Sequence, residues 1–208
     1  MTDIFLKHLS QSCARGYVEG DSCLLRCYTV LGEMLKYRGY EKVSFLCSDY
    51  TSLLDFLNNE MVVAVASAGS REDKAVVFHT DVHVGIKALR SMLASESQRS
   101  SQRIIVSIDG PTSFARRDAS AVGVEFLTYK QIFNDISSHR LVPPHRRITC
   151  PDEQRAVAHR YCIVAPSQWP RFRMSDPMCI FGDFRAGDLV EIRRRCASGE
   201  SLYYRMVG

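Results

Sequence analysis

LVPPHRRITCPDEQRAVAHRYCIVAPSQWPRFRMSDPMCIFGDFRAGDLVEIRRRCASGESLYYRMVG, residues 141–208, carries the densest set of local start and stop signals in the chain. Pro143 and Pro144 remove two consecutive backbone donors and push Val142 toward an extended conformation, so a boundary falls here. Thr149-Cys150-Pro151-Asp152 then starts a helix: a hydroxyl at the N-cap, a proline in the first turn and an acid close behind each favour it. That helix should run to about Tyr161. Ser175-Asp176-Pro177 repeats the device in miniature, with Asp176 as cap, Pro177 preset for the first helical position and Gly182 as the stop. Leu189, Ile192, Leu202, Tyr204 and Met206 fall in two short runs around Ala197-Ser198-Gly199, which reads as strand, turn, strand. Together these imply a small mixed α+β domain over residues 139–208.

Outward from this stretch, charge divides the chain. From His139 onward there are 12 Arg, no Lys and 7 acids, a net +5, whereas the first 138 residues carry 15 basic and 16 acidic groups. Arginine used without lysine suits planar, multidentate contacts with carboxylates, carbonyls or phosphates. No apolar run approaches the roughly 18 residues needed to cross a bilayer, and the amino terminus lacks a signal-peptide pattern, so a soluble, unsecreted protein is expected. The 8 cysteines contain no Cys-x-x-Cys pair. They read as free, mostly buried thiols of a reducing compartment, without zinc or a disulfide framework.

Residues 1–138 read as a second domain in which helices alternate with strands, an α/β sheet. Residues 1–20, with Gly16 and Gly20, are expected to be loosely held. Leu24, Tyr28, Leu31 and Leu35 then recur at helical spacing behind Asp21-Ser22, and Gly39 ends the pattern. A second helix carries Leu53, Leu54 and Leu57. Met61–Ala66 and Ala75–Phe78 read as strands joined by a turn over Gly69–Asp73. A helix is expected over His83–Leu93, a serine-rich loop over Ser95–Ser101, buried strands over Arg103–Ile108 and Val124–Thr128, and a last helix over Tyr129–Ile136.

The run Leu141-Val142-Pro143-x-His145, Arg160-Tyr161, Gln168-x-Pro170-Arg171, Ser175-Asp176-Pro177, Gly182-x-x-x-x-Gly187-Asp188-Leu189-Val190 and Tyr204-Arg205 resembles the carboxy-terminal domain of the fifth subunit of eukaryotic nuclear RNA polymerases. The archaeal H-subunit family looks like this domain alone. Six pieces in order make the resemblance specific. Glu33-Met34 with Arg38-Gly39-Tyr40, and Val84-Gly85-Ile86-Lys87, are similar to the family's amino-terminal domain. Trp169, where the family usually has leucine, and a shorter final hairpin with Arg195-Cys196-Ala197 depart from it, as a divergent or paralogous member would.

The resemblance implies a restriction-endonuclease-like α/β jaw domain over 1–138 and a polymerase-assembly domain over 139–208. It implies a non-catalytic subunit of a DNA-directed RNA polymerase in the nucleus, common to polymerases I, II and III or dedicated to one, with the nucleolus as its place if that one is polymerase I. The carboxy-terminal domain would dock on the largest subunit through Pro143, His145, Asp176, Pro177, Gly187 and Arg205. The jaw would lie beside downstream double-stranded DNA, with Thr112, Ser113, Arg116 and Arg117 of the loop Asp109–Arg117 nearest to it. Two arginines reaching phosphates would bind without reading base edges.

Against these stand a free-standing nucleic-acid-binding transcription factor and a nuclease-like enzyme. The nuclease needs two acids and a lysine converging on magnesium, but Asp73-Lys74 is expected in a turn, and no acid followed two residues later by lysine is expected on a buried strand. His79 and His83 lack an evident third ligand for zinc. No activated serine or cysteine is evident. No cofactor, metal or catalytic residue is expected.

Overall fold

The computed structural model of the chain describes residues 2–16, 18–46, 50–58, 62–68, 71–94, 102–196 and 199–208. Chain contacts divide it into two compact units, Met1–Asn134 and Asp135–Gly208. Each is a mixed α/β structure with its own sheet.

The first unit centres on a five-stranded sheet in the order β1 (Lys42–Phe45), β2 (Val62–Ala68), β3 (Arg71–Phe78), β5 (Gln102–Ser107), β7 (Val124–Thr128). β1, β2 and β3 are antiparallel, and β5 and β7 continue parallel to β3. Parallel neighbours need crossover connections, here α4 (Ile86–Ala94) and α5 (Ser113–Val122). Strands covered on both faces read as unbroken apolar runs, which is why Ala75–Phe78 and Ile104–Val106 are legible in the sequence. Ala75, Val77 and Ile105 pack with Leu89 and Met92 of α4 and with Ala115 and Ala119 of α5. Phe78, on the alternate register, meets Tyr28 of α2 (Gly20–Tyr37) at 6.2 Å and Tyr129 at 5.3 Å between ring centroids. α2 buries Leu24, Leu31 and Leu35 as its spacing requires, and α3 (Tyr50–Asn58) buries Leu53 and Leu57.

Several expectations are corrected here. Residues 2–14 are not loosely held: they form α1 (Thr2–Ala14), with Phe5 and Leu9 buried and Phe5 5.6 Å edge-on to Tyr129. A weak run of three apolar residues is enough because Gly20 lets the two helices approach; a Cβ there would lie 2.4 Å from the Leu6 carbonyl oxygen. β1 has no sequence expectation; it is four residues long and mostly exposed. Arg71–Asp73 lie in β3 instead of a turn, while Gly69 and Ser70 fall outside the described residues, as do Ser95–Ser101 and Cys47. The helix expected from His83 starts at Ile86, because His83–Val84 form β4, paired in parallel with β6 (Gly110–Pro111). The helix expected over Tyr129–Ile136 is α6, Tyr129–Ile132 only. The Asp135 carboxylate takes the N–H and hydroxyl of Ser137 at 2.9 and 2.6 Å and turns the chain.

The second unit holds a four-stranded sheet in the order β8 (His145–Ile148), β10 (Leu189–Cys196), β11 (Gly199–Val207), β9 (Arg171–Phe172). β8 and β9 have no sequence expectation. They are short, and their pairing with β10 and β11 is long-range. α7 (Pro151–Arg160) covers one face, where Val157, Trp169, Ile148, Leu189 and Tyr204 pack together. Its N-cap is Cys150, not Thr149, so the hydroxyl does not cap and proline at the first position with two following acids carries the start. Trp169 is buried beside Tyr204. On the other face, Phe172 and Phe184 lie 6.2 Å apart near α8 (Pro177–Phe181).

Candidate docking surface and nucleic-acid interface

The six residues expected to dock serve first as joints of the second unit. Asp176 caps α8, its Oδ1 accepting from the Met178 N–H at 2.9 Å, and Pro177 holds the first helical position. Gly187, with φ +90, makes the turn into β10, and its N–H bonds the Val207 carbonyl at 2.9 Å; a side chain is strained in that conformation. His145 opens β8. Its Nδ1 lies 2.6 Å from the Pro143 carbonyl, which can only accept, so that nitrogen carries the proton. The imidazole stacks on Phe172 with ring centroids 5.7 Å apart.

Three of the six share one neighbourhood. His145 feels the Asp176 carboxylate and the Arg194 and Arg205 guanidiniums. Burial, reinforced by the two arginines and opposed by the Pro143 bond and Asp176, lowers its pKa below the ordinary histidine value. Beside it a recess of about 330 Å³ is lined by Arg171, Phe172, Arg173, Ser175, Asp176 and Arg205. Arg205 Nη1 reaches the Arg171 carbonyl at 3.4 Å. Arg171 and Arg173 belong to this recess although the residues named from the sequence did not include them; the signal was there, since Arg171 closes the Gln168-x-Pro170-Arg171 motif. A recess with three guanidiniums and one carboxylate can receive a carboxylate or a backbone carbonyl from outside.

In the first unit, Asp109–Arg117 is not a loop. The Asp109 N–H bonds the Val82 carbonyl at 2.9 Å, Gly110–Pro111 pair as β6, and the Thr112 N–H bonds the Val84 carbonyl at 3.1 Å. Thr112 is the N-cap of α5, accepting from the Ala115 N–H at 3.4 Å. Ser113, Arg116 and Arg117 therefore stand exposed on the first turns of a helix whose Ala115 and Ala119 are buried. Arginine near a helix N-terminus is opposed by the helix dipole, so its charge does not serve helix stability. Helix N-terminus and guanidiniums both favour an anion.

The acid–lysine geometry differs from the sequence expectation. Asp73 and Lys74 lie on β3, where Glu72 precedes Lys74 by two residues, so the acid-x-lysine spacing does occur on a largely buried strand. Lys74 Nζ, however, sits 3.1 Å from Glu125 Oε2, and Arg38 Nη2 sits 2.8 Å from Glu125 Oε1. Two buried cations thus converge on one carboxylate, the reverse of a site with acids to spare for magnesium. No group of three His, Cys, Asp or Glu among the described residues stands close enough to hold a metal. His79 is buried with Nε2 3.5 Å from Asp81 Oδ2, while His83 is exposed on β4, so the two do not share a helical face. The Cys27 thiol donates to the Tyr129 carbonyl at 3.5 Å, and its interaction with the neighbouring Cys13 thiol lowers the Cys13 pKa and, with burial, raises that of Cys27. That pairing joins α1 to α2 and has no local sequence signal.

Comparison with known proteins shows the family. Residues 134–207 match the family model of the RNA polymerase Rpb5 C-terminal domain. The DNA-directed RNA polymerase subunit Rpo5 of Pyrococcus horikoshii is 42% identical over 79 residues, 38% of this chain and 93% of that protein. The DNA-directed RNA polymerases I, II, and III subunit RPABC1 of Caenorhabditis elegans is 28% identical over 156 residues, 72% of this chain and 73% of that one. The chain belongs to the fifth-subunit family of DNA-directed RNA polymerases.

Proposed function

We propose that this chain is a non-catalytic subunit of a nuclear RNA polymerase, with residues 135–208 docking on the largest subunit and residues 1–134 forming a jaw beside downstream double-stranded DNA. The observation that carries the docking reading is a recess lined by Asp176 and Arg205 with two further arginines, beside which His145 stacks on Phe172. These groups are held by the fold before any partner arrives, so little side-chain entropy is lost on binding. Pro143, Pro177 and Gly187 act with them by fixing the backbone. The DNA reading rests on Ser113, Arg116 and Arg117 at the start of α5, with Thr112 holding the cap. Their contacts would be with phosphates, independent of sequence.

The chain would serve polymerases I, II and III in common or one of them alone, with a nucleolar position if that one is polymerase I. Purification of the tagged full-length protein from nuclear extract in high salt tests this. The expected result is stoichiometric recovery of the largest polymerase chains, whose identity names the polymerase served. Recovery of the protein alone would overturn the subunit reading and favour a free-standing factor. In the purified complex, Arg116→Ala with Arg117→Ala should leave assembly intact and flatten the salt dependence of downstream-DNA retention by about one for each phosphate no longer neutralised. Identical slopes would remove α5 from the DNA path.

A further inference from the structure

Pairing in the carboxy-terminal sheet stops short of the tip of its longest hairpin. β8 matches β10 from Leu189 to Ile192, and the next bond on that edge runs from the Arg193 N–H to the Pro144 carbonyl at 3.1 Å. Proline has no N–H to return, so Pro144 leaves the Arg193 carbonyl unmatched and the ladder ends. β10 and β11 continue together to the pair Cys196 and Gly199. Backbone groups alternate between the two edges of an antiparallel strand. The edge to which Arg193 turns its N–H is therefore also the edge to which Arg195 turns its N–H and carbonyl. Pro143 and Pro144, lacking donors, cannot zip onto it.

The open edge faces a cleft of about 940 Å³, walled on its far side by residues 137–144. Charge narrows the choice of occupant. Five arginines line the cleft, Arg140, Arg146, Arg193, Arg194 and Arg195, against two acids, Glu191 and Glu200. Arg146 is held by Glu153 and Glu191, and Arg195 lies 3.5 Å from Glu200. Arg193 is 3.8 Å from Glu191, a carboxylate already engaged by Arg146. Among the described residues, Arg140 and Arg194 have no carboxylate partner, and Leu141, 75% exposed, adds an apolar contact to the wall.

We infer that this cleft binds an extended acidic segment of another chain, which adds as a strand beside Arg193–Cys196 and presents its carboxylates to the cleft arginines. Strand addition draws affinity from backbone bonds and specificity from alternate side chains, and charge-assisted bonds to guanidinium supply the second part. A nucleic-acid strand fits less well: a phosphodiester offers acceptors alone, whereas the carbonyls of Arg193 and Arg195 call for donors, which peptide amides supply. Only the source of the segment, another polymerase subunit, rests on the proposed function.

Two measurements test this. The first is fluorescence anisotropy of the full-length chain with a labelled synthetic peptide of alternating Glu and Val. The expected result is saturable binding, weakened at least about tenfold, or roughly 1.4 kcal/mol, both by Arg193→Glu with Arg195→Glu and by N-methylation of alternate peptide amides. Equal affinity in either comparison, or full competition by a single-stranded oligonucleotide, would overturn the proposal. The second places a photo-crosslinking residue at Leu141 in the assembled polymerase and sequences the product. A crosslink to an Asp- and Glu-rich peptide of another subunit, lost in the double variant, supports the proposal. A crosslink to nucleic acid, to a peptide without acids or to a second copy of this chain, or none in an assembled complex, contradicts it. Failure of the chain to assemble at all would strike the polymerase reading and leave the peptide measurement to decide the cleft.

Discussion

Each unit gathers cations around a single carboxylate, and the two do it in opposite senses. In Met1–Asn134, Glu125 on β7 receives Arg38 and Lys74, whose side chains are 1% and 5% exposed. In Asp135–Gly208 the carboxylate itself is the buried member: Glu191 is 8% exposed, while its partner Arg146 is 51% exposed. Glu191 also accepts from the Tyr204 hydroxyl at 3.3 Å. The first arrangement locks the end of α2 to the sheet. The second holds guanidiniums at the surface in fixed geometry, which is what a docking surface needs. A count of charges would not separate them; the location of the carboxylate does.

That contrast yields graded effects. Glu125→Gln should be the most damaging change, since it removes the charge two buried cations share. A loss of about 3 kcal/mol in chemical denaturation is expected, in line with breaking a buried ion pair from one side. Glu191→Gln should cost less, roughly 2 kcal/mol, the range of hydrogen bonds to a charged group. It should also weaken polymerase assembly by loosening Arg146. Equal destabilisation by both changes would erase the distinction between an inward and an outward network.

Asp176→Ala comes next. Losing the cap of α8 should lower stability by about 1 kcal/mol, read from the melting temperature, and should reduce subunit retention further through the recess. Unchanged stability and retention together would show that Asp176 is neither cap nor contact.

The smallest effect concerns pH. Because burial, with Arg194 and Arg205, outweighs the Pro143 bond and Asp176 and lowers the pKa of His145 in the folded state, the unfolded chain, with histidine near 6.5, binds the proton more readily. Stability should therefore fall as pH drops from 7 through 6.5, and the loss should stop growing below the folded-state pKa. His145→Gln should flatten that limb in melting curves taken between about pH 5 and 8. A wild-type curve with no such limb would show that the imidazole is not held as described.

Much of this was legible from local signals. Asp176, Pro177 and Gly187 are readable from a few neighbouring residues, and Asp176 also lines the recess. The parallel strands could be read because burial on both faces leaves continuous apolar runs. What stayed hidden depends on long-range pairing. β8 and β9 are four and two residues long and exist only through β10 and β11. α1 is helical against a weak pattern because Gly20 admits it. Glu72-Asp73-Lys74 looked like part of a turn because three charged residues in succession mimic one, although Lys74 is buried by a partner 51 residues away. Arg116 and Arg117 looked like loop residues because Gly110 and Pro111 precede them, yet that pair forms a strand that launches a helix.

On the proposed reading, residues 135–208 are a preformed plug seated on a larger polymerase chain. A cryo-electron-microscopy structure of the complex purified through the tagged protein tests it most directly. His145, Asp176 and Arg205 should be covered by the largest subunit, with the fold of this unit unchanged from its free form. Finding that face open to solvent, or the unit refolded against its partner, would contradict it.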